Sequence, residues 1–200
     1  MVSMKRYQKA KLALASHGIV AFPTETVMGL GVYFDDKIAY EKLNAVKQRK
    51  PGKPYTLMLY DPYVISFYAE VDKRAVKLIN KFMPGPITLL LKVKNKVVPK
   101  WVTNGTGVIG IRVPQNKKAL DFLYNLDKPL LVPSANRADQ PPCINSKEVK
   151  KVFGDDIDVV IRGKAGGSTP STIVDLSGPD VKIVRVGLIP EAEIFKALEE

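Results

Sequence analysis

Two separated segments carry residues suited to chemistry on a polyphosphate. Lys47-Gln48-Arg49-Lys50-Pro51-Gly52-Lys53-Pro54 gathers fixed cations, and Pro133-Ser134-Ala135-Asn136 supplies a small hydroxyl and an amide. Arginine neutralises phosphate oxygens by forked donation and lysine acts as a point charge, while neutral groups orient a second reactant beside them. That combination points to a nucleotide-dependent enzyme. Thr24, Arg112, Ser171 and Arg185 fall at or just past expected strand ends, where sites of α/β proteins gather. Taken singly, these residues have blander readings. Lys47, Arg49 and Lys53 fit a solvated helix end complementing the dipole, Ser134 and Asn136 fit a turn after a strand, and Arg112 fits an edge-strand surface charge.

Other chemistries fare worse. Gly105-Thr-Gly107-Val-Ile-Gly110 spells GxGxxG, yet it runs into Ile109-Gly-Ile-Arg-Val-Pro114, a strand stopped by proline, where a dinucleotide fold needs a helix. Gly163-Lys-Ala-Gly-Gly-Ser-Thr169 lacks the spacing of a Walker P-loop. Ser134 lacks the GxSxG context of a hydrolase nucleophile, and nothing brings the sole histidine, His17, to it or to the sole cysteine, Cys143. One cysteine also rules out an intramolecular disulfide, and one histidine leaves no Cys/His zinc set. Any metal is therefore expected to arrive with a substrate.

These residues need elements to place them. A helix over Lys5 to His17, capped by Gly18, is expected to lead into a strand from Ile19 to Phe22. Pro23-Thr-Glu-Thr then puts polar side chains at that strand's carboxyl edge. Asp35 or Asp36 caps a helix ending near Lys47, which delivers Lys47 and Arg49 to its end and the loop beyond. Tyr55 to Leu59, Ile87 to Val93, Val108 to Val113, Leu130 to Val132, Ile157 to Ile161, Thr172 to Leu176 and Ile183 to Val186 read as strands. Helices start at Asp61-Pro62, span Asp72 to Phe82 before Pro84-Gly85-Pro86, and lie near Gln115 to Asn125, Ser146 to Phe153 and Pro190 to Glu199. Several consecutive strands have no helix between them, so a purely doubly wound sheet is not expected.

Two hundred residues, 46% of them hydrophobic, suffice for one α/β domain over 1–200. No apolar run of about 18 residues and no signal-peptide core are present, so a cytoplasmic protein without a membrane partner is expected. The formal charge of +11 favours anionic partners. It leaves open whether the basic residues face RNA or only water.

With these segments in view, the chain resembles the YrdC-type threonylcarbamoyl-AMP synthases from about Gly18 to Gly187. Pro23-Thr24-Glu25-Thr26-Val27-Met28-Gly29-Leu30-Gly31 is similar to the family's PTETVYGLG, with methionine at the usual tyrosine. Lys47-Gln48-Arg49, Pro84-Gly85-Pro86-Ile87-Thr88, Ser134-Ala135-Asn136 and Ser171-Thr172-Ile173-Val174-Asp175 are similar to its KxR, PGPxT, SxN and STIVD segments, in the family's order. The resemblance implies a YrdC-like domain: a twisted mixed parallel and antiparallel sheet flanked by helices, with a basic concave face. It implies synthesis of threonylcarbamoyl-AMP and pyrophosphate from L-threonine, bicarbonate and ATP, with Mg²⁺ arriving on the nucleotide. The product would pass to a downstream threonylcarbamoyl-transferase machinery that modifies tRNA adenosine.

The same resemblance assigns roles. Arg49, Lys53, Ser134 and Arg185 would bind ATP; Thr24, Arg112, Val132 and Ser171 would bind L-threonine; Lys47, Arg49, Ser134 and Asn136 would stand at the reacting centre. Pro142, Pro170 and Val186 depart from the pattern, where relatives carry serine, glutamate and proline, and leave the nucleotide contacts there unassigned. The chain ends soon after Arg185, which matches a short form of the family. Two rival readings follow from the same features. One is a non-catalytic double-stranded RNA or tRNA module, which gives Thr24, Ser134 and Ser171 no role. The other is a carbamoyl-adenylate enzyme of the same fold, whose accessory zinc fingers and acylphosphatase segment the sequence does not show.

Overall fold

The computed structural model describes residues 2–49, 55–94 and 97–200, with side chains from residue 7 onward. Its nine strands are β1 (Val20–Pro23), β2 (Met28–Tyr33), β3 (Thr56–Met58), β4 (Ile87–Lys92), β5 (Val108–Arg112), β6 (Leu130–Leu131), β7 (Val159–Val160), β8 (Thr172–Asp175) and β9 (Lys182–Arg185). They form one sheet in the order β7-β1-β2-β6-β3-β5-β4-β8-β9. The pairs β1/β7, β3/β5 and β4/β8 are parallel, and the other five are antiparallel. This is the mixed sheet expected from consecutive strands without intervening helices.

Among the described residues seven α-helices accompany it: α1 (Val2–Ala15), α2 (Lys37–Lys47), α3 (Ile65–Tyr68), α4 (Lys73–Phe82), α5 (Lys117–Tyr124), α6 (Ser146–Phe153) and α7 (Glu191–Glu199). Asp36, not Asp35, caps α2 by accepting from the Ala39 amide. His17 takes the left-handed backbone position after α1 (φ 60°) that was assigned to Gly18. The helix expected at Asp61-Pro62 is one 3₁₀ turn, Pro62–Val64, running into α3.

β2 was not among the expected strands, and its glycines explain why. A Cβ on Gly29 would stand 2.6 Å from Val132 Cγ1, and one on Gly31 would stand 2.7 Å from Leu130 Cδ1. The large side chains of the neighbouring segment fill the space that a patterned strand would give its own. Glycine therefore erases the alternation by which strands are read.

Side chains alternate between two cores. Ala21, Leu57, Ile109, Ile111, Leu131 and Val174 face a larger cluster with Leu43, Leu78, Val149 and Ile194, the apolar stripes of α2, α4, α6 and α7. Val20, Phe22, Met58, Leu130 and Val132 face the opposite way, onto Tyr7 and Leu14 of α1 and Phe122 of α5. That second cluster holds no residue of β4, β5, β8 or β9. The half of this face outside that cluster carries Thr56, Thr88 and Arg112, with Gly110 lying beside the first two. Polar groups thus replace apolar ones on this half, and Thr88 and Arg112 are buried there.

Phe122 is fully buried and meets Phe22 edge-on at 5.2 Å and Tyr7 at 5.4 Å. Phe122→Ala is expected to destabilise the chain by about 3–5 kcal/mol, the range for emptying a buried aromatic site. Urea unfolding monitored by circular dichroism measures this, and a loss below about 1 kcal/mol would mean that α5 is held by something else.

Candidate functional site

The four-residue turn between β1 and β2 is held by a directed chain of hydrogen bonds. Arg112 Nη2, at the end of β5, donates to Thr26 Oγ1 at 2.9 Å. The Thr24 hydroxyl donates to the Val27 carbonyl at 2.7 Å, so the 2.9 Å contact between the two threonine hydroxyls must be Thr26 donating to Thr24. Thr24 Oγ1 also accepts the Thr26 amide at 3.2 Å. With one proton given and two received, its hydroxyl is fully engaged within the turn. Behind the turn, the Gly166 and Gly167 amides donate to the Thr24 and Thr26 carbonyls. A Cβ on Gly166 would lie 2.1 Å from the Glu25 carbonyl, so only glycine permits this clamp.

Arg112 Nη2 donates as well to Glu25 Oε1 at 2.7 Å, a pair whose side chains are 7% and 15% exposed. Glu25 Oε2 and Arg112 Nε are both buried and have no hydrogen-bond partner among the described residues. Across the sheet, the parallel pairing of β4 with β8 brings Thr88 Oγ1 to 2.9 Å from Ser171 Oγ. Arg185 closes over Ser171, with Nε and Nη2 donating to its carbonyl at 3.1 and 2.8 Å and Nη2 to its hydroxyl at 3.2 Å. Partial burial, and then the nearby Arg112 cation, lower the pKa of Arg185. Two guanidiniums therefore share this end of the sheet, where an anion relieves their repulsion.

The second group gathers at the end of α2. Lys47 is 3% exposed, and its Nζ donates to the Ser134 carbonyl at 2.5 Å, the Asn136 carbonyl at 2.6 Å and Asn136 Oδ1 at 3.4 Å. Ser134 Oγ donates to Asn136 Oδ1 at 2.5 Å, and Asn136 Nδ2 donates to the Arg137 carbonyl. The Ala138 amide and Arg137 Nη1 return hydrogen bonds to the Lys47 and Val46 carbonyls, satisfying the helix end. Arg49 stacks over the Tyr55 ring at 4.4 Å, and the Tyr55 hydroxyl donates to Asn44 Oδ1.

Burial, and then the Arg49 charge, push the Lys47 ammonium down to about 7, while three carbonyl oxygens satisfy its charged form. Lys47 in this arrangement points inward and shapes the 134–138 loop.

The β1–β2 hairpin joins the two groups. Its turn holds Arg112, while the Ala135 amide donates to the Met28 carbonyl and the Leu30 amide to the Pro133 carbonyl. Val132 follows β6, its amide committed to the Thr56 carbonyl. The structure so places Thr24 with Arg112, Ser171 with Arg185, and Lys47 with Ser134 and Asn136. Lys53 lies outside the described residues. Glu25, Thr26 and Thr88 were not singled out from the sequence. Thr26 shares the alternation of Thr24, and Thr88 directly follows the Pro84-Gly85-Pro86-Ile87 segment, but only strand pairing shows where they end. Among the described residues no group of three or more His, Cys, Asp or Glu side chains is placed to hold a metal.

Lys47 binds its proton up to about 10.5 when unfolded but only to about 7 when folded, so the unfolded chain holds the extra proton between those values. Stability from this group therefore rises as pH rises through that window. Lys47→Met is expected to lack the rise: the unfolding free energy of the wild type, minus that of the variant, should increase from about pH 7 to about pH 9. A difference that stays flat between urea titrations at the two pH values would contradict it.

Comparison with known proteins identifies the family and the fold. The Sua5/YciO/YrdC family model, described as "Telomere recombination", matches residues 12–187. The threonylcarbamoyl-AMP synthase of Pyrococcus abyssi is 32% identical over 184 residues, covering 91% of this chain and 54% of that protein. The chain thus spans about half the length of that relative. The threonylcarbamoyl-AMP synthase of Pseudoalteromonas atlantica is 37% identical over 161 residues, covering 78% of this chain and 84% of that one. The crystal structure of P. abyssi Sua5 complexed with L-threonine superposes with a TM-score of 0.89 at 30% identity, over 94% of this chain and 56% of that one. The chain belongs to the Sua5/YciO/YrdC family.

Proposed function

We propose that this protein is an L-threonylcarbamoyladenylate synthase, a nucleotidyltransferase acting as a single domain over residues 1–200. It converts L-threonine, bicarbonate and ATP to threonylcarbamoyl-AMP, pyrophosphate and water. The observation that carries the reading is the buried Arg112, fixed by the β1–β2 turn with an unpartnered Nε, on the sheet face that also bears Ser171 and Arg185. A carboxylate is the ligand for such a fork. Relatives named threonylcarbamoyl-AMP synthase, and a neighbour solved with L-threonine, support the same ligand.

The chemistry is positioning and charge neutralisation. The amine nitrogen of threonine bonds to the one-carbon unit, giving an N-carboxylate and releasing water. A carboxylate oxygen then attacks the α-phosphorus while the bond to pyrophosphate breaks. Arg112 holds the amino-acid carboxylate, and Ser171, Thr24 and the Val132 backbone shape its pocket. Arg49, Lys53, Ser134 and Arg185 take the nucleotide, and Mg²⁺ brought with ATP neutralises the departing pyrophosphate. Lys47 fixes Ser134 and Asn136 against the reacting centre. The adenylate then serves a threonylcarbamoyl transfer to tRNA adenosine, a reaction of bound small molecules that needs no membrane. No described helix is long and apolar enough to cross one.

With Mg²⁺ and ATP, pyrophosphate release is expected only when L-threonine and bicarbonate are both present. Serine, lacking the methyl group, should be poorer by roughly ten- to two-hundredfold in kcat/KM. Arg112→Ala should raise the KM for threonine by about tenfold or more, as loss of a charge-assisted bond implies, and leave that for ATP near wild type. Pyrophosphate released equally without threonine, or ADP as product, would reject the proposal.

A further inference from the structure

We propose that Glu25 is a specificity-determining residue that makes this site take a zwitterionic α-amino acid in place of a plain carboxylate anion. The inference rests on the reading above that Arg112 receives the carboxylate of L-threonine. A buried guanidinium beside a second one attracts any anion, so Arg112 and Arg185 alone would not separate an amino acid from a hydroxy acid or a dicarboxylate. Glu25 changes that balance at contact distance. Its Oε1 accepts from Arg112 Nη2 at 2.7 Å, and its Oε2 is buried with no partner among the described residues.

The two atoms left over are complementary to a zwitterion. Arg112 Nε is an unused donor, suited to a carboxylate, and Glu25 Oε2 is an unused acceptor, suited to an ammonium. A ligand bearing only a carboxylate offers Glu25 Oε2 no cationic donor and sets like charge beside it, whereas an α-ammonium supplies that donor. Specificity of this kind comes from the repulsive element as much as from the attractive one. The backbone that carries Glu25 is held in place. The carbonyls of its neighbours Thr24 and Thr26 are held by the Gly166 and Gly167 amides, and Gly166 packs directly on the Glu25 carbonyl.

The test compares L-threonine with 2,3-dihydroxybutanoate of matching configuration, in which a hydroxyl replaces the ammonium, by calorimetry on the full chain. The wild type should prefer threonine by about tenfold or more, as the loss of one charge-assisted hydrogen bond implies. In Glu25→Gln, which keeps shape and loses charge, threonine should bind more weakly and the hydroxy acid as well or better, so that the preference collapses. Glu25→Asp should restore part of it.

Equal wild-type affinity for both ligands overturns the proposal whether or not the variants fold. A folded Glu25→Gln that keeps the wild-type preference overturns it too. If threonine-dependent pyrophosphate release persists in the wild type while the preference is absent, only this inference falls. A wild type that binds neither ligand and releases no pyrophosphate removes the synthase reading, and this inference with it.

Discussion

The site depends on the anchoring of a single guanidinium at the carboxyl end of β5. Arg112 is 6% exposed, and a charge that deep is tolerated only with partners. The β1–β2 turn supplies them through Thr26 and Glu25, and the relay to Thr24 and Val27 leaves the turn few alternative conformations. The clamp by Gly166 and Gly167 and the pairing of Met28 with Ala135 tie that turn to the rest of the fold. Disturbing the hairpin would therefore release Arg112 on one side and the Ser134 loop on the other.

The division of this sheet face into an apolar and a polar half makes this anchoring useful. Helices α1 and α5 bury the β1, β3 and β6 side chains on one face, and their coverage stops there. Beyond it the same face carries hydroxyls and guanidiniums at strand ends, where the backbone is rigid and Thr88, Ser171 and Arg112 are buried among polar partners. A positioning enzyme needs that arrangement, because misplacing a reactant by about 1 Å can cost about a hundredfold. The buried Lys47 extends the same logic, since its three carbonyl contacts set the course of the loop bearing Ser134 and Asn136.

Much of this was legible in the sequence where local pattern and site coincide. The apolar stretches of β1, β4, β5 and β8 end at Thr24, Arg112 and next to Ser171, and the α2 periodicity delivers Lys47 to its final turn. What local pattern could not show is direction. Lys47 reads as an outward cation and is an inward one, because the Ser134 and Asn136 carbonyls that receive it are 87 and 89 residues away. β2 was hidden by two glycines whose reason lies in Val132 and Leu130 of another segment. Glu25 reads as an ordinary turn acid until the fold sets Arg112 beside it. The charge of +11 favoured an anionic partner without choosing one, and only the fold brings the Arg185 guanidinium near that of Arg112.

The account's central claim is that one site joins an amino acid, a one-carbon unit and a nucleotide. Mass spectrometry of the nucleotide product, formed from ¹³C-bicarbonate, unlabelled L-threonine and ATP, tests it most directly. The account predicts an adenylate that carries both the threonine moiety and the label, and that fragments to AMP. An adenylate without the label, or ADP with inorganic phosphate and no adenylate, would contradict it.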